Sequence, residues 1–310
     1  MGSNPTGITA AMNTIITIYT ITAERVMEKV IKCKSYAKIN LFFEILRKRE
    51  DGYHEIQTIF SLIDVYDRLN FVLTKNSSVK ILADTDFLKE EDNLIYRIAV
   101  FIKEKYNVKS GVIVDLEKRI PISAGLGGGS SNAATTIIAL NSLWNLQLSN
   151  KEMHEIAALW GSDINFFLEG STALGEGRGE KISSLPYLAF DHIFLVNPGI
   201  GIASSEAYRS AEICQEKQVY RELLTRKDSR FCFNRLEDGI RKNYPEIDDI
   251  IGYLESEGVI KSILSGSGAT VIGFCPDLAT ANKLGQYYTH KGYWNTITKT
   301  KGEPNEHYRC

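Results

Sequence analysis

The stretch GLGGGSS, Gly125 to Ser131, decides how the rest of the chain is read. Four of its seven residues are glycine, which gives either slack chain or a loop whose bare backbone meets a ligand. Its flanks choose between them. GVIVDLEKRI ahead of it alternates like a strand, with Val112, Val114 and Leu116 on one side, and Pro121 leads into the loop. SNAATTIIALNSLW behind it has helical spacing, with Ala133, Ile137, Leu140 and Trp144 along one stripe. Flexible linkers join domains rather than a strand to the helix it feeds. A strand, a glycine loop and a helix N-terminus together offer outward N–H groups, a favourable dipole end and no Cβ atoms, which suits a phosphate. Ser130 and Ser131 fall where the helix is expected to begin, as caps, phosphate donors or a magnesium contact. The chain has no G-x-x-x-x-G-K-[ST], and the spacing is not G-x-G-x-x-G, so neither of the two commonest nucleotide loops applies.

Upstream, KCKSYAKINLFFEIL alternates as a strand, with Ala37, Ile39, Leu41, Phe43 and Ile45 predicted on one face and Lys38 and Asn40 on the other. Asp51-Gly52 marks a turn; RLNFVL and VKILAD read as further short strands. NLIYRIAVFIKEKY and NKEMHEIAALWG read as helices. In the second half, HIFLVNPG reads as a buried strand, PEIDDIIGYLES and DLATANKLGQYY as helices, and KSILSGSGATVIGFC as strand, turn, strand. Mixed elements without strict βαβ alternation predict an α+β protein, and 310 residues suggest two domains.

Three further stretches carry candidate chemistry. Lys38 sits in an apolar strand, and Asp163 in GSDINFFLEG precedes a greasy run. A carboxylate enclosed there needs a partner, and a Lys–Asp pair is also suited to phosphoryl transfer: the aspartate takes a hydroxyl proton while the lysine offsets phosphoryl charge. Residues alone leave that pairing open against two unrelated side chains. In DGYHE, Tyr53 and His54 either stack on a ligand base or decorate a plain hairpin. LSGSGAT, Leu264 to Thr270, is either a close-approach loop or a tight turn.

Composition excludes several classes. The formal net charge is −2, which gives no basic footprint for nucleic acid or anionic membrane. The five cysteines form no C-x-x-C pair and suggest a reducing, cytoplasmic setting. The five histidines show no metal spacing. No apolar run approaches the roughly 20 residues of a membrane helix. The first 26 residues hold no acid before Glu24 and no base before Arg25, and read as a tag or upstream extension, with Met27 as a start.

Taken together, PISAGLGGGSSNAAT, AKINLFFEILRKREDGYHEIQTIF, DNLIYRIA, GSDINFFLEGSTALGEGRGE and LSGSGATVIGF resemble the GHMP kinases in order and approximate spacing. The AKINL and DGYHE motifs narrow the likeness to the branch that acts on a cytidine diphosphate-linked methylerythritol. The resemblance spans nearly the whole chain from about Lys29. It implies an α+β, two-domain GHMP kinase fold: 27–183 as an ATP-binding N-terminal domain like the second domain of ribosomal protein S5, and 184–310 as an α+β C-terminal domain, with substrates meeting in the cleft between. The implied reaction is ATP-dependent phosphorylation of the acceptor's 2-hydroxyl in the non-mevalonate isoprenoid route.

The implied roles follow by matched position. Lys38 and Asp163 are catalytic, and Asn40 contacts substrate near the reacting hydroxyl. His54 hydrogen-bonds the cytosine, Tyr53 packs on the cytidine and Tyr208 covers its other side, while Gly266 and Ser267 approach the diphosphate. On the ATP side stand Asn93, Leu94, Lys118 and Pro121, with Gly125, Gly127, Gly128, Gly129, Ser130, Ser131 and Asn132 around the phosphates. ATP and Mg2+ are expected, the ion bound mainly through phosphates with Ser130 as its protein contact. No nucleic acid or membrane partner is expected, and the chain is expected to be a monomer or weak homodimer. The sequence departs from the pattern at Asn165, where proline is common and its loss would loosen the turn aiming Asp163, at Ile122 and Ser123, and at Arg235, where aspartate is usual. Homoserine or mevalonate kinase activity, a silent binding protein on the same fold, and an S5-like nucleic-acid binder are the alternatives.

Overall fold

A computed structural model describes residues 29–83, 90–213 and 218–302. The segment read as a tag, with Cys214 and Cys310, lies outside the described residues.

Two long strands organise the molecule. β1 (Val30–Lys48) and β2 (His54–Thr74) form an antiparallel hairpin that turns at Arg49–Tyr53. RLNFVL, expected as a short strand of its own, is the C-terminal part of the continuous β2. Its C-terminal half pairs with β4 (Gly111–Glu117), which is flanked in parallel by β3 (Val79–Ala83). Its N-terminal half pairs with β5 (Thr172–Gly177), which carries β6 (Lys181–Ser184). Helices α1 (Leu94–Lys105), α2 (Gly128–Leu143), α3 (Asn150–Ala158) and α4 (Ile164–Glu169) pack on this sheet and on one another. α2 is buried almost all round rather than along the single predicted stripe: Ala134, Thr136 and Ala139 are as enclosed as Ala133, Ile137 and Leu140. Small side chains allow this, because they let neighbouring backbone come close on every side.

The second sheet runs β11 (Trp294–Thr298), β7 (Ile193–Asn197), β10 (Val271–Phe274), β9 (Lys261–Leu264). Phe194 and Val196 of β7 pack beneath α8 (Pro245–Ser256) and α9 (Leu278–His290), while Ile193 and Leu195 pack on β1. Both faces are covered, which is why HIFLVNPG is continuously apolar. Between these elements lie three short helices: α5 (Ser204–Ser210), α6 (Arg221–Arg226) and α7 (Glu237–Asn243).

The two sheets share a core. Ala37, Ile39, Leu41 and Phe42 of the first meet Ile193, Leu195, Ile263 and Ile272 of the second. The seam is also stitched by backbone. The two-residue strand β8 (Phe233–Asn234) runs parallel to Phe42–Phe43, and Lys301 N–H donates to the Leu62 carbonyl at 2.8 Å. Next to β8, Arg235 forms a buried two-pronged pair with Glu44, Nη2 to Oε2 at 2.7 Å and Nε to Oε1 at 2.9 Å. Glu44 also accepts the Gln218 N–H at 3.0 Å. Arginine at this departure from the usual pattern therefore answers a carboxylate on β1; removing one partner of such a pair costs about 3–5 kcal/mol.

One expectation about β1 fails. The pairing with β2 slips at Leu41, between Asn40 and Phe42. Ala37, Ile39, Leu41 and Phe42 all join the shared core, whereas Phe43 and Ile45 join the cluster of the second half. A bulge inserts one residue and reverses the alternation, so Phe43 comes to line the same cavity as Lys38 and Asn40. Among the described residues, no helix is long and apolar enough to cross a membrane.

Candidate active site

Two cavities meet at the glycine loop. The larger, about 510 Å3, is walled by Ile81, Ala83, Asn93, Leu94, Leu116 and Lys118 on one side and by the loop from Pro121 to Asn132 on the other. The smaller, about 320 Å3, is bounded by Lys38, Asn40, Phe43, Phe60, Asp163, Arg178, Tyr208, Gly266 and Ser267. Ser123, Gly125 and Gly127 line both.

The loop is built by packing from several directions. Gly127 has φ +68° and serves as the N-cap of α2, with no side-chain cap. A Cβ on it would come within 2.8 Å of the Phe167 ring and 3.1 Å of Lys38 Cε. A Cβ on Gly125 would lie 2.1 Å from the Ser265 carbonyl oxygen, so here GLGGGSS rests on LSGSGAT. Ser265 Oγ donates back to the Gly125 carbonyl at 3.1 Å. Gly129, by contrast, faces open space. The helix starts at Gly128, earlier than expected, and Ser130 and Ser131 do not cap it. Its first-turn N–H groups thus open toward the larger cavity with the positive end of the helix dipole behind them.

The expected ATP-side residues Asn93, Leu94, Lys118, Pro121, Gly125, Gly127, Gly128, Gly129, Ser130 and Asn132 line this cavity, and Ser131 does not. The Ser131 hydroxyl turns inward to Ser35 Oγ at 2.7 Å, and its N–H donates to the Gly127 carbonyl at 2.9 Å, so both groups are engaged within the protein. A single-residue step of about 100° along α2 rotates position 131 away from the cleft that position 130 faces. Asn132 accepts from Ser35 Oγ at 2.7 Å. Lys118 is held at the cleft wall by fully buried Asp67, Nζ to Oδ2 at 2.6 Å. The other Asp67 oxygen accepts Arg119 N–H at 2.7 Å and Ile120 N–H at 2.8 Å. Sequence reasoning missed Asp67; it lies in β2, far from the loop it anchors, with no local signal to mark it.

In the smaller cavity Lys38 and Asp163 come together, Nζ to Oδ2 at 3.4 Å. Lys38 is 4% exposed, whereas the Asp163 side chain keeps 35% of its surface open to the cavity. Lys38 Nζ donates to Asn40 Oδ1 at 2.7 Å, Asn40 Nδ2 to Thr58 Oγ1 at 2.7 Å, and Thr58 Oγ1 to the Phe42 carbonyl at 2.8 Å. The ammonium also lies 5.2 Å over the Phe60 ring. This chain fixes the lysine head against buried strands and leaves the carboxylate as the accessible end of the pair. Asp163 stands at the N-terminus of α4. Asn165, expected to loosen that turn, is instead tied down: its Oδ1 lies 3.0 Å from His154 Nδ1, and its Nδ2 donates to the Glu180 carbonyl at 3.5 Å.

The LSGSGAT loop forms the far wall. Asn234 Nδ2, a donor the sequence reading did not single out, bonds the Leu264 carbonyl at 2.7 Å and the Gly266 carbonyl at 2.8 Å. Gly266 packs against the Lys38–Asn40 pair, and Ser267 Oγ lies 3.3 Å from Ser204 Oγ.

The aromatic residues are arranged differently from the expected clamp. His54 stacks directly on Tyr208, centroids 5.0 Å apart at 10°. Tyr53 is 55% exposed, and its ring carries the Arg178 guanidinium at 4.7 Å. Burial, with the nearby Lys48 charge second, pushes the His54 pKa below its usual 6.5. Burial, and then the Asp163 charge, push the Tyr208 phenol well up. Both rings are therefore neutral at pH 7, and His54 offers one donor and one acceptor.

This geometry has relatives. The N-terminal GHMP kinase domain model matches residues 93–171, and the GHMP kinase C-terminal model residues 217–293. The 4-diphosphocytidyl-2-C-methyl-D-erythritol kinase of Thermodesulfovibrio yellowstonii is 39% identical over 89% of this chain and 99% of its own length. The enzyme of the same name from Thermoanaerobacter pseudethanolicus is 40% identical over 87% of this chain and 98% of its own. A crystal structure of 4-(cytidine 5'-diphospho)-2C-methyl-D-erythritol kinase superposes with a TM-score of 0.76 at 29% identity, covering 88% of this chain and 100% of that one. Relatives this similar, matched end to end on a fold whose two cavities meet at the expected glycine loop, place the chain in the 4-diphosphocytidyl-2-C-methyl-D-erythritol kinase family of the GHMP kinases.

Proposed function

We propose that the larger cavity binds ATP, the smaller one binds 4-diphosphocytidyl-2-C-methyl-D-erythritol, and the γ-phosphoryl group passes between them to the acceptor's 2-hydroxyl, giving the 2-phosphate and ADP. The observation that carries this reading is the shared wall: Ser123, Gly125 and Gly127 belong to both cavities, and the Lys38–Asp163 pair stands beside them on the acceptor side.

The helix N-terminus and glycine backbone cradle the triphosphate. In the transfer the acceptor oxygen forms a bond to the γ-phosphorus as the bond to the ADP oxygen breaks. The hydroxyl proton goes to the open Asp163 carboxylate. Lys38, held by Asn40, offsets charge developing on the transferred group, so positioning and electrostatics supply catalysis without a covalent intermediate. The half-buried Ser130 hydroxyl at the start of α2 suits a magnesium contact, and the ion supplies further charge neutralisation when ATP brings it. Tyr208 lines the smaller cavity and His54 stacks on it, which supports a cytosine held on the Tyr208 side, with Tyr53 outside the cavity wall.

An ADP-release assay with 4-diphosphocytidyl-2-C-methyl-D-erythritol, homoserine and mevalonate tests the reading, with phosphorus NMR locating the new phosphate. Turnover of the first substrate alone, at its 2-hydroxyl, is expected; preference for either of the others would sink it.

A further inference from the structure

We propose that Arg178 is the residue that recognises the acceptor's diphosphate, and that Tyr53 is the platform that aims it. The inference rests on the acceptor reading above. The smaller cavity is lined by two cations, Lys38 and Arg178, and one carboxylate, Asp163. Lys38 is committed to Asn40 and Asp163. Arg178 is half-buried and differently placed. Among the described residues, no carboxylate lies within 4.0 Å of its guanidinium and no acceptor is hydrogen-bonded to it. A diphosphate entering beside Asp163 needs an unpaired cation, and Arg178 is the one that this wall presents.

Its geometry fits that task. Arg178 sits between Gly177 and Gly179 in the turn from β5 to β6, and its own N–H donates to Glu180 Oε2 at 2.6 Å. The Glu180 carbonyl accepts from Asn165, two residues past Asp163. The turn is thereby tied to the segment that presents the catalytic carboxylate. The guanidinium carbon lies over the Tyr53 ring, 4.7 Å from its centroid. Held there, the guanidinium keeps N–H donors for a ligand, and their fork matches two phosphate oxygens at once. Tyr53, exposed and beside His54, thus reaches the acceptor through Arg178 as well as through the base.

Calorimetric titration with cytidine 5'-diphosphate and with cytidine separates the outcomes, with the ATP cavity saturated by adenosine 5'-(β,γ-imido)triphosphate. Wild type is expected to prefer the diphosphate. Arg178→Gln is expected to lose about ten- to a hundredfold in diphosphate affinity, as for a charged hydrogen-bonding pair, with cytidine affinity unchanged. Arg178→Lys should recover part of that loss, since an ammonium keeps the charge but not the fork. In turnover, KM for the acceptor should rise while KM for ATP holds. Undiminished diphosphate affinity in Arg178→Gln would overturn the assignment, and so would an equal loss for both ligands, which would mean that Arg178 serves only to place Tyr53. A wild-type protein that binds neither ligand would instead overturn the acceptor reading itself.

Discussion

The two cavities are built on opposite principles. The wall of the larger one comes mostly from a single run, Pro121 to Asn132, and presents backbone at the start of α2. The smaller draws side chains from β1, β2, the approach to α4, the β5–β6 turn, α5 and the LSGSGAT loop. A phosphate bound by peptide N–H groups needs little beyond the right backbone path. Positioning a hydroxyl, a proton acceptor and a charged handle needs side chains brought from distant parts of the chain. The donor side should therefore respond to Cβ atoms, and the acceptor side to loss of functional groups.

The largest effect should come from the acceptor side. Asp163→Asn is expected to lower kcat by about a hundredfold or more, as for a positioned base, while nucleotide binding by calorimetry stays intact. Turnover near wild type would remove Asp163 from the chemistry and break the contrast at its strongest point. Gly127→Ala comes next and crosses the boundary. Its Cβ would push on both Phe167 and Lys38 at a positive φ, so stability should fall by about 1–3 kcal/mol and both KM for ATP and kcat should suffer. Gly129→Ala sharpens the comparison: its Cβ meets nothing in the protein, so the melting temperature should hold within the equivalent of about 0.5 kcal/mol while KM for ATP rises. An unchanged KM there would mean that the phosphates do not approach that backbone.

Asn234→Ala leaves the Leu264 and Gly266 carbonyls without their donor. A cost of about 1–2 kcal/mol is expected by chemical denaturation, with KM rising for the acceptor more than for ATP. Equal rises would show that the LSGSGAT loop serves both cavities alike. The smallest effect concerns pH. Because the folded His54 pKa lies below 6.5, the unfolded chain binds the proton more readily between the two values. Its contribution to stability is therefore fully present above pH 6.5 and is lost as pH falls through the folded midpoint. An NMR titration of the His54 ring should give that midpoint below 6.5, moving up when Tyr208→Ala uncovers the ring. A midpoint at or above 6.5 in the intact protein would mean that stacking on Tyr208 does not desolvate His54.

Legibility in the sequence followed the same division. GLGGGSS, with a strand before it and a helix after it, announced an anion cradle because each of those signals lies within a few turns of chain. The buried β7 and the β9–β10 hairpin were legible for the same reason: apolar runs and small-residue turns are local. The inward turn of Ser131 was not legible within that stretch, since composition does not say which way a serine faces once the helix begins at Gly128. The Lys38–Asp163 pair stayed open on residues alone and came only through family likeness. Arg178 was quoted within its motif and passed over, because nothing adjacent to it signals that it turns into a cavity.

The amino-acid sequence by itself determined many of the elements, the glycine loop between a strand and a helix and, through its spaced motifs, the kinase family. Tertiary structure alone decided which side chains share a cavity. A bulge at Leu41 sends Phe43 to the side of Lys38 and Asn40, a buried core and the parallel β8 join the two sheets, and Asn165 ties the Asp163 turn to the one bearing Arg178. Backbone conformation is set over a few neighbouring residues, whereas convergence of side chains depends on register, crossing and packing between segments more than a hundred residues apart, as Lys38 and Asp163 are.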